Sequence, residues 1–168
     1  MSLRRLMGMP VVTRGKLTGW VERATLTADG RRLHGLVLRH GLGGAKWLPA
    51  AQLLQLGETS VLAQGAPQKL PREAQQRLGT VYHAQGLCLG LVSDALLHPE
   101  RMTVLALEIS YGPLYQLAGR SAYATEYSVR PAPPRAAADV AREVVISELK
   151  PWQAVGALAG KEVEPKCQ

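Results

Sequence analysis

Residues 31–40 read "RRLHGLVLRH", and within them Leu36 and Leu38 alternate with Val37 and Arg39. Further along, in "TVLALEIS", Leu107 and Ile109 alternate with Glu108 and Ser110. Alternation with period two sends successive side chains to opposite faces of a strand. One face stays apolar in both stretches while the other changes character, so the constant face is predicted to meet the core. The two strands belong to a longer repeat. A shift of 71 residues lays positions 8–41 on 79–112 without a gap, with identities at Gly8/Gly79, Gly15/Gly86, Gly19/Gly90, Val21/Val92, Ala24/Ala95, Leu26/Leu97, Leu36/Leu107 and Gly41/Gly112. Half of these identities are glycine, so backbone conformation is the property held in common.

The same patterning predicts mainly β structure in each copy. In the first, "MPVVT" (9–13) leads to a turn at Arg14-Gly15, and "TGWVERATLT" (18–27) follows. Asp29-Gly30 is a hairpin signal, because both residues tolerate positive φ. Residues 31–40 form the return strand, closed by "GLGG" at 41–44. The second copy carries "HPER" (98–101) in place of "TADG" (27–30), which demands another turn type. Gly19 and Gly90, inside strands, mark bulges or sharp bends. Residues 46–64 predict a strand, a helical turn over 49–54 and a closing strand at 60–64. In the second copy, 123–129 alternates as a strand. Residues 65–78 read as a polar linker with a short helix over 72–78. Near the end, Val140, Ala141, Val144, Val145 and Leu149 fall at helical spacing and predict a helix within 137–152, with "EVVIS" as a strand the alternative. Trp20, aligned with Leu91, is expected in the core or between the two units, and His34, aligned with Leu105, at a core-facing packing position.

Composition sharpens this in three ways. With 168 residues, 46% of them hydrophobic, and no Phe, the chain divides into two small Leu/Val/Ala cores. Cores of that size are marginal alone, which favours packing of the two units on each other or a homodimer. The expected division is a first repeat at 1–66, a linker at 67–75, a second repeat at 76–133, and a C-terminal extension at 134–168. Charge is uneven: 12 Lys/Arg face 4 Asp/Glu in residues 1–78, against 8 and 9 in 79–168, so the net +7 belongs to the first half. Such asymmetry points to an anionic partner, or to attraction between the halves. The two cysteines, Cys88 in an apolar run and Cys167 near the end, form no CxxC pair and predict a buried thiol and a tail thiol. No segment has signal-peptide or membrane-span character, so the cytoplasm is the expected location.

Gly8-Met9-Pro10-Val11-Val12, Gly15, Gly19-Trp20-Val21 and "RLHGLVLR" (32–39), with Gly79-Thr80-Val81, Gly86 and "LGLVSDALL" (89–97), resemble the PRC-barrel family. Asp94 lies where that family often carries an acidic residue, whereas the first copy has Arg23 there. The resemblance implies two tandem, small, highly bent β-barrels with short helices. It also implies protein binding or stabilisation of assemblies in place of catalysis; the family includes the cytoplasmic domain of the photosynthetic reaction-centre H subunit, the C-terminal domain of a ribosome maturation factor, and stand-alone bacterial proteins linked to sporulation.

Candidate chemistry is sparse. His34, His40, His83 and His98 form no HxH, HxxxH or HExxH pattern, so metal-ligand spacing is missing. No nucleophile-elbow motif occurs, and "GLGGAK" (41–46) fails the P-loop spacing and reads as a hairpin exit loop. The sequence therefore predicts no catalytic residue, cofactor or metal, and a non-enzymatic interaction or scaffold protein. Its candidate interaction surface is Arg14, Lys16, Arg31, Arg32, Arg39 and Lys46. The alternative is an RNA- or ribosome-associated assembly factor that uses the same basic residues on phosphates, though without the clustered aromatics on which bases stack.

Overall fold

A computed structural model describes residues 1–39, 41, 44–72, 74, 77–111, 122–130 and 141–150. The protein is mainly β, built from two curled sheets. A single helical turn, α1 (Leu3–Leu6), precedes the first sheet. The strands that follow are β1 (Pro10–Thr13), β2 (Lys16–Leu26), β3 (Leu33–Arg39) and β4 (Ala45–Pro49). After a 3-10 turn at Ala50–Gln52 come β5 (Leu53–Leu56), β6 (Val61–Ala63) and the two-residue β7 (Gln68–Lys69). Their order in the sheet is β5-β6-β1-β2-β3-β4-β7, with β6 parallel to β1. The second sheet contains β8 (Leu78–His83), β9 (Cys88–His98), β10 (Thr103–Ser110), β11 (Ala122–Ala124), β12 (Tyr127–Val129) and β13 (Arg142–Ile146). Its order is β11-β10-β9-β8-β13-β12. Because only Thr125 and Glu126 separate β11 from β12, the two ends of this sheet must curl toward each other, which gives it a barrel-like form.

Each strand of the second sheet has a counterpart in the first, down to the parallel pair: β13 runs along β8 as β6 runs along β1. The repeat is therefore longer than its sequence identity. Two expectations about the C-terminal region change as a result. Arg142–Ile146 is a strand, not a helix; its β-branched run Val144-Val145-Ile146 alternates in burial and completes the open side of β8. The second sheet thus extends past residue 133, to Ile146. Residues 131–140 and 151–168, where the remainder of the expected helix would fall, lie outside the described residues. Of the expected helix over 72–78, Leu78 belongs to β8, and residues 73, 75 and 76 lie outside the described residues. Residues 123–129 are two strands, β11 and β12, at opposite ends of the sheet and not one continuous strand.

The ungapped register also needs one correction. Val21↔Leu38 and Val92↔Ile109 keep the 71-residue shift through β2/β3 and β9/β10. Val11 pairs with Gly19, however, whereas it is Val81, 70 residues on, that pairs with Gly90. The extra residue sits in the hairpin turn: Thr13 pairs with Lys16 across Arg14-Gly15, whereas the His83 carbonyl and N–H close around Ala84–Gly86. Arg14 (φ 51°) and Gly15 (φ 76°) both lie in the left-handed region, as a two-residue primed turn requires.

Both sheets feed one core. Val11, Val21, Leu36, Leu38, Leu48 and Val61 from the first pack in the same cluster as Val81, Leu97, Leu107, Ile109, Val144 and Ile146 from the second. The units are also stitched through the backbone: the Leu33 N–H donates to Met102 O at 2.8 Å, and the Val104 N–H to Arg31 O at 2.8 Å. The α1 segment crosses over as well, since the Leu97 N–H donates to Met1 O at 2.7 Å and Ser2 bridges to Leu96. No helix of the described residues is long and apolar enough to cross a membrane.

Three side chains stand on a different face from the one expected. Trp20 is 49% exposed, and its counterpart Leu91 is 57% exposed. Val21 points inward, so Trp20, one residue earlier, must point outward beside Pro10 and Arg39. His34 leaves the core because a bulge between Leu33 and Gly35 gives the inward position to Leu33. Its ring instead lies 4.9 Å from that of Trp47, on a small outer cluster with Val37 and Ala74. Cys88 is exposed, opposite Tyr82 on the outside of the second sheet.

Tyr123 and Tyr127 are nearly buried, and desolvation, the dominant cause for both, pushes their phenols up to about 12. Glu108 and Asp94 add to the shift at Tyr123, while the Arg31 guanidinium partly opposes it at Tyr127. A phenol whose pKa is raised in the folded state contributes fully while both states are protonated, and loses that contribution as pH rises from about 10 toward 12. Spectrophotometric titration at the phenolate band is therefore expected to show a phase near pH 12 from Tyr123 and Tyr127, together with a fall in stability from about pH 10 toward 12.

Candidate interaction surface

The six basic residues singled out in the sequence separate into three locations. Arg14 and Lys16 flank the tip of the β1–β2 hairpin, and both are exposed. Arg39, on β3, neighbours Trp20 across the strand pair and holds Glu22 at 3.5 Å in an exposed ion pair. Lys46 follows on β4, opposite Leu38 and exposed. Arg39 thus shares the outer sheet face of Trp20, whereas Lys46, paired with the inward-facing Leu38, lies on the other face at the edge of the sheet. Arg31 and Arg32 lie elsewhere, at the end of the β2–β3 turn.

Arg31 works between the two units. Its guanidinium donates to Thr125 O at 3.2 Å and to Tyr127 O, and it stacks 4.0 Å from the centre of the Tyr127 ring. The Tyr127 hydroxyl in turn donates to Gly30 O at 2.9 Å. On the same turn, Arg142 from β13 sends its two Nη atoms to the carbonyls of Leu26 (3.3 Å), Thr27 (3.0 Å) and Ala28. Arg142 is 3% exposed, and desolvation lowers its pKa while Asp29 works against that shift. Arg31 and Arg142 thus clamp the first hairpin against β12 and β13. Arg32 stays exposed beside this joint, its backbone bridging to Thr103.

Between the exposed cations lies an apolar surface that composition did not reveal. On the outer face of the first sheet, Leu62 on β6, Val12 on β1 and Leu17 on β2 stand opposite one another across three strands. Pro10 and Trp20 form the neighbouring pair. Leu17, Trp20 and Leu62 are 48%, 49% and 39% exposed, so this is open apolar area and not core. Arg14 and Lys16 bound it at the hairpin, and Arg39 bounds it along β3. The pairing that builds the row recurs in the second sheet with Val145, Tyr82 and Cys88, and with Thr80 and Leu91. There the flanking cations are replaced by Gln85, Leu87 and Ser110.

Sequence reasoning could have found the row from one signal: Gly19 and Val21 face inward, so Leu17 and Trp20 could share the outer face only if a bulge intervened. That bulge is on β2, where Thr18 is the extra residue opposite Val11 and Val12; Gly19 signals it, and the partner strand fixes its place. No protein-family model matches the chain, and no curated protein matches it significantly.

Proposed function

We propose that the protein is a non-enzymatic interaction module, a tandem PRC-barrel-like scaffold that presents the outer face of its first sheet to a protein partner. The observation that carries this reading is the Pro10–Val12–Leu17–Trp20–Leu62 row, with Leu17, Trp20 and Leu62 exposed and Arg14, Lys16 and Arg39 at its edges. Exposed apolar area edged by charge is the composition of a protein-binding patch, with a tryptophan at its centre as the anchor. The surrounding cations favour a partner segment that combines aliphatic or aromatic side chains with Asp and Glu.

Selection from a random peptide library tests this. The wild-type protein is expected to enrich peptides carrying acidic residues beside large apolar ones, and Trp20→Glu to lose them. Because Trp20 is half exposed, that variant is expected to stay folded at a cost of about 1–3 kcal/mol, read by chemical denaturation. The complex is expected to weaken only modestly between low and physiological salt. Tight binding of bulk RNA that collapses steeply over the same salt range would replace this reading with an RNA-associated one, since phosphate contacts release counterions.

A further inference from the structure

A second feature lies between the two units, beyond the Arg39–Glu22 pair that edges this face. A cleft of about 480 Å³ lies between β2 and β9, roofed by α1 and the segment leading into β8. Its volume falls in the range of small-ligand pockets, which run from about 300 to 1,000 Å³. The long strands meet here at equivalent positions of the repeat, yet those positions differ in chemistry: Arg23 stands on β2 where Asp94 stands on β9. Asp94 is committed, since its Oδ1 accepts from the Arg4 N–H at 3.1 Å and the Ala95 N–H at 2.8 Å. The guanidinium of Arg4 reaches Ser93 O at 3.2 Å, and Arg142 is spent on the hairpin carbonyls. Arg23 and Arg77 remain. Arg23 is half-buried and donates only to Ala74 O, at 3.5 Å. Among the described residues, neither makes an ion pair, and the nearby Glu22 carboxylate is held by Arg39.

We propose that this cleft binds a small organic oxyanion with an apolar body, its charge between Arg23 and Arg77 and its chain against Leu3, Leu70 and Val92. Two guanidiniums placed together form a site for a carboxylate or phosphate, and partial exclusion of water strengthens each contact. Burial first, and then the Arg77 charge, lower the pKa of Arg23, with the Glu22 carboxylate working against them, so a bound anion would meet two neighbouring cations.

Calorimetric titration of the full chain with octanoate, octanol and inorganic phosphate tests the proposal. Octanoate is expected to bind, with octanol and phosphate each at least about 10-fold weaker because one lacks the charge and the other the apolar body. Arg23→Gln and the more exposed Arg77→Gln should each weaken octanoate by about 10-fold, whereas Trp20→Glu should leave it unchanged, which separates this site from the outer face. In the absence of ligand, the melting temperature of Arg23→Gln should be no lower than that of the wild type; a purely structural arginine would lower it. Unaltered octanoate binding by both arginine variants overturns the proposal. So does equal binding of octanol or of phosphate, or no binding of octanoate at all.

Discussion

Arg142→Ala is expected to cost about 3–5 kcal/mol of stability, the magnitude for breaking a buried, charged hydrogen-bond network. The substitution removes the donors that serve the carbonyls of Leu26, Thr27 and Ala28 and leaves those groups inside the joint between the units. Small domains hold about 5–15 kcal/mol in total, so the loss is a large share of what keeps the fold closed. Arg142→Lys should recover little, because one ammonium cannot span three carbonyls as the guanidinium fork does. Arg130→Ala is the matched control. Its pair with Glu143 is exposed on both sides, at 3.4 Å, and should contribute no more than about 1 kcal/mol. Denaturant melts of the three variants, compared by midpoint at constant slope, give the measurement. Equal effects from Arg142→Ala and Arg130→Ala would show that the clamp does not hold the units together.

Gly90→Ala is expected to be comparably damaging for an unrelated reason. Gly90 has φ of 129°, where a side chain is strained, and a Cβ there would lie 2.3 Å from the Ser110 carbonyl oxygen. That oxygen belongs to the neighbouring strand of the same bent sheet, so relief requires a backbone shift. Strain of about 1–3 kcal/mol from the dihedral adds to an overpacking cost of similar size, and a loss of about 3–5 kcal/mol follows. Gly15→Ala offers a contrast. Its φ of 76° is also positive, but a Cβ there meets nothing within 4 Å, so only the dihedral cost of about 1 kcal/mol applies.

These two positions show what was legible at different depths. Gly90 stands out in the sequence because Gly19 repeats it, and a duplicated glycine within an apolar strand already implies a bend. Arg142 gives no such signal. It sits in a stretch where Val144, Val145 and Leu149 mimic a helical stripe, and its three acceptors lie more than a hundred residues earlier. The basic residues divide in the same way. Exposure of Arg14, Lys16, Arg39 and Lys46 follows from turns and strand edges, whereas the engagement of Arg31 with Thr125 and Tyr127 depends on how two hairpins meet. Parity failed at His34, where a bulge between Leu33 and Gly35 adds one residue and reverses the face taken; Trp20 and Cys88 were expected inside from their repeat partner and apolar surroundings, and the strand pairing turns both outward.

The sequence by itself determined the mainly β character, the duplication and the core faces Leu36/Leu38 and Leu107/Ile109, because period two and glycine placement are local properties of the chain. It also placed the excess of positive charge in the first half. Only the tertiary structure decided that Arg142–Ile146 completes the second sheet, that the first hairpin is gripped by Arg31 and Arg142, and that Trp20 faces solvent within an apolar row. Each of those depends on a partner strand far along the chain. The cleft that places Arg23 across from Asp94 is of the same kind: the sequence shows that the two positions differ, and packing makes that difference into the two walls of one cavity.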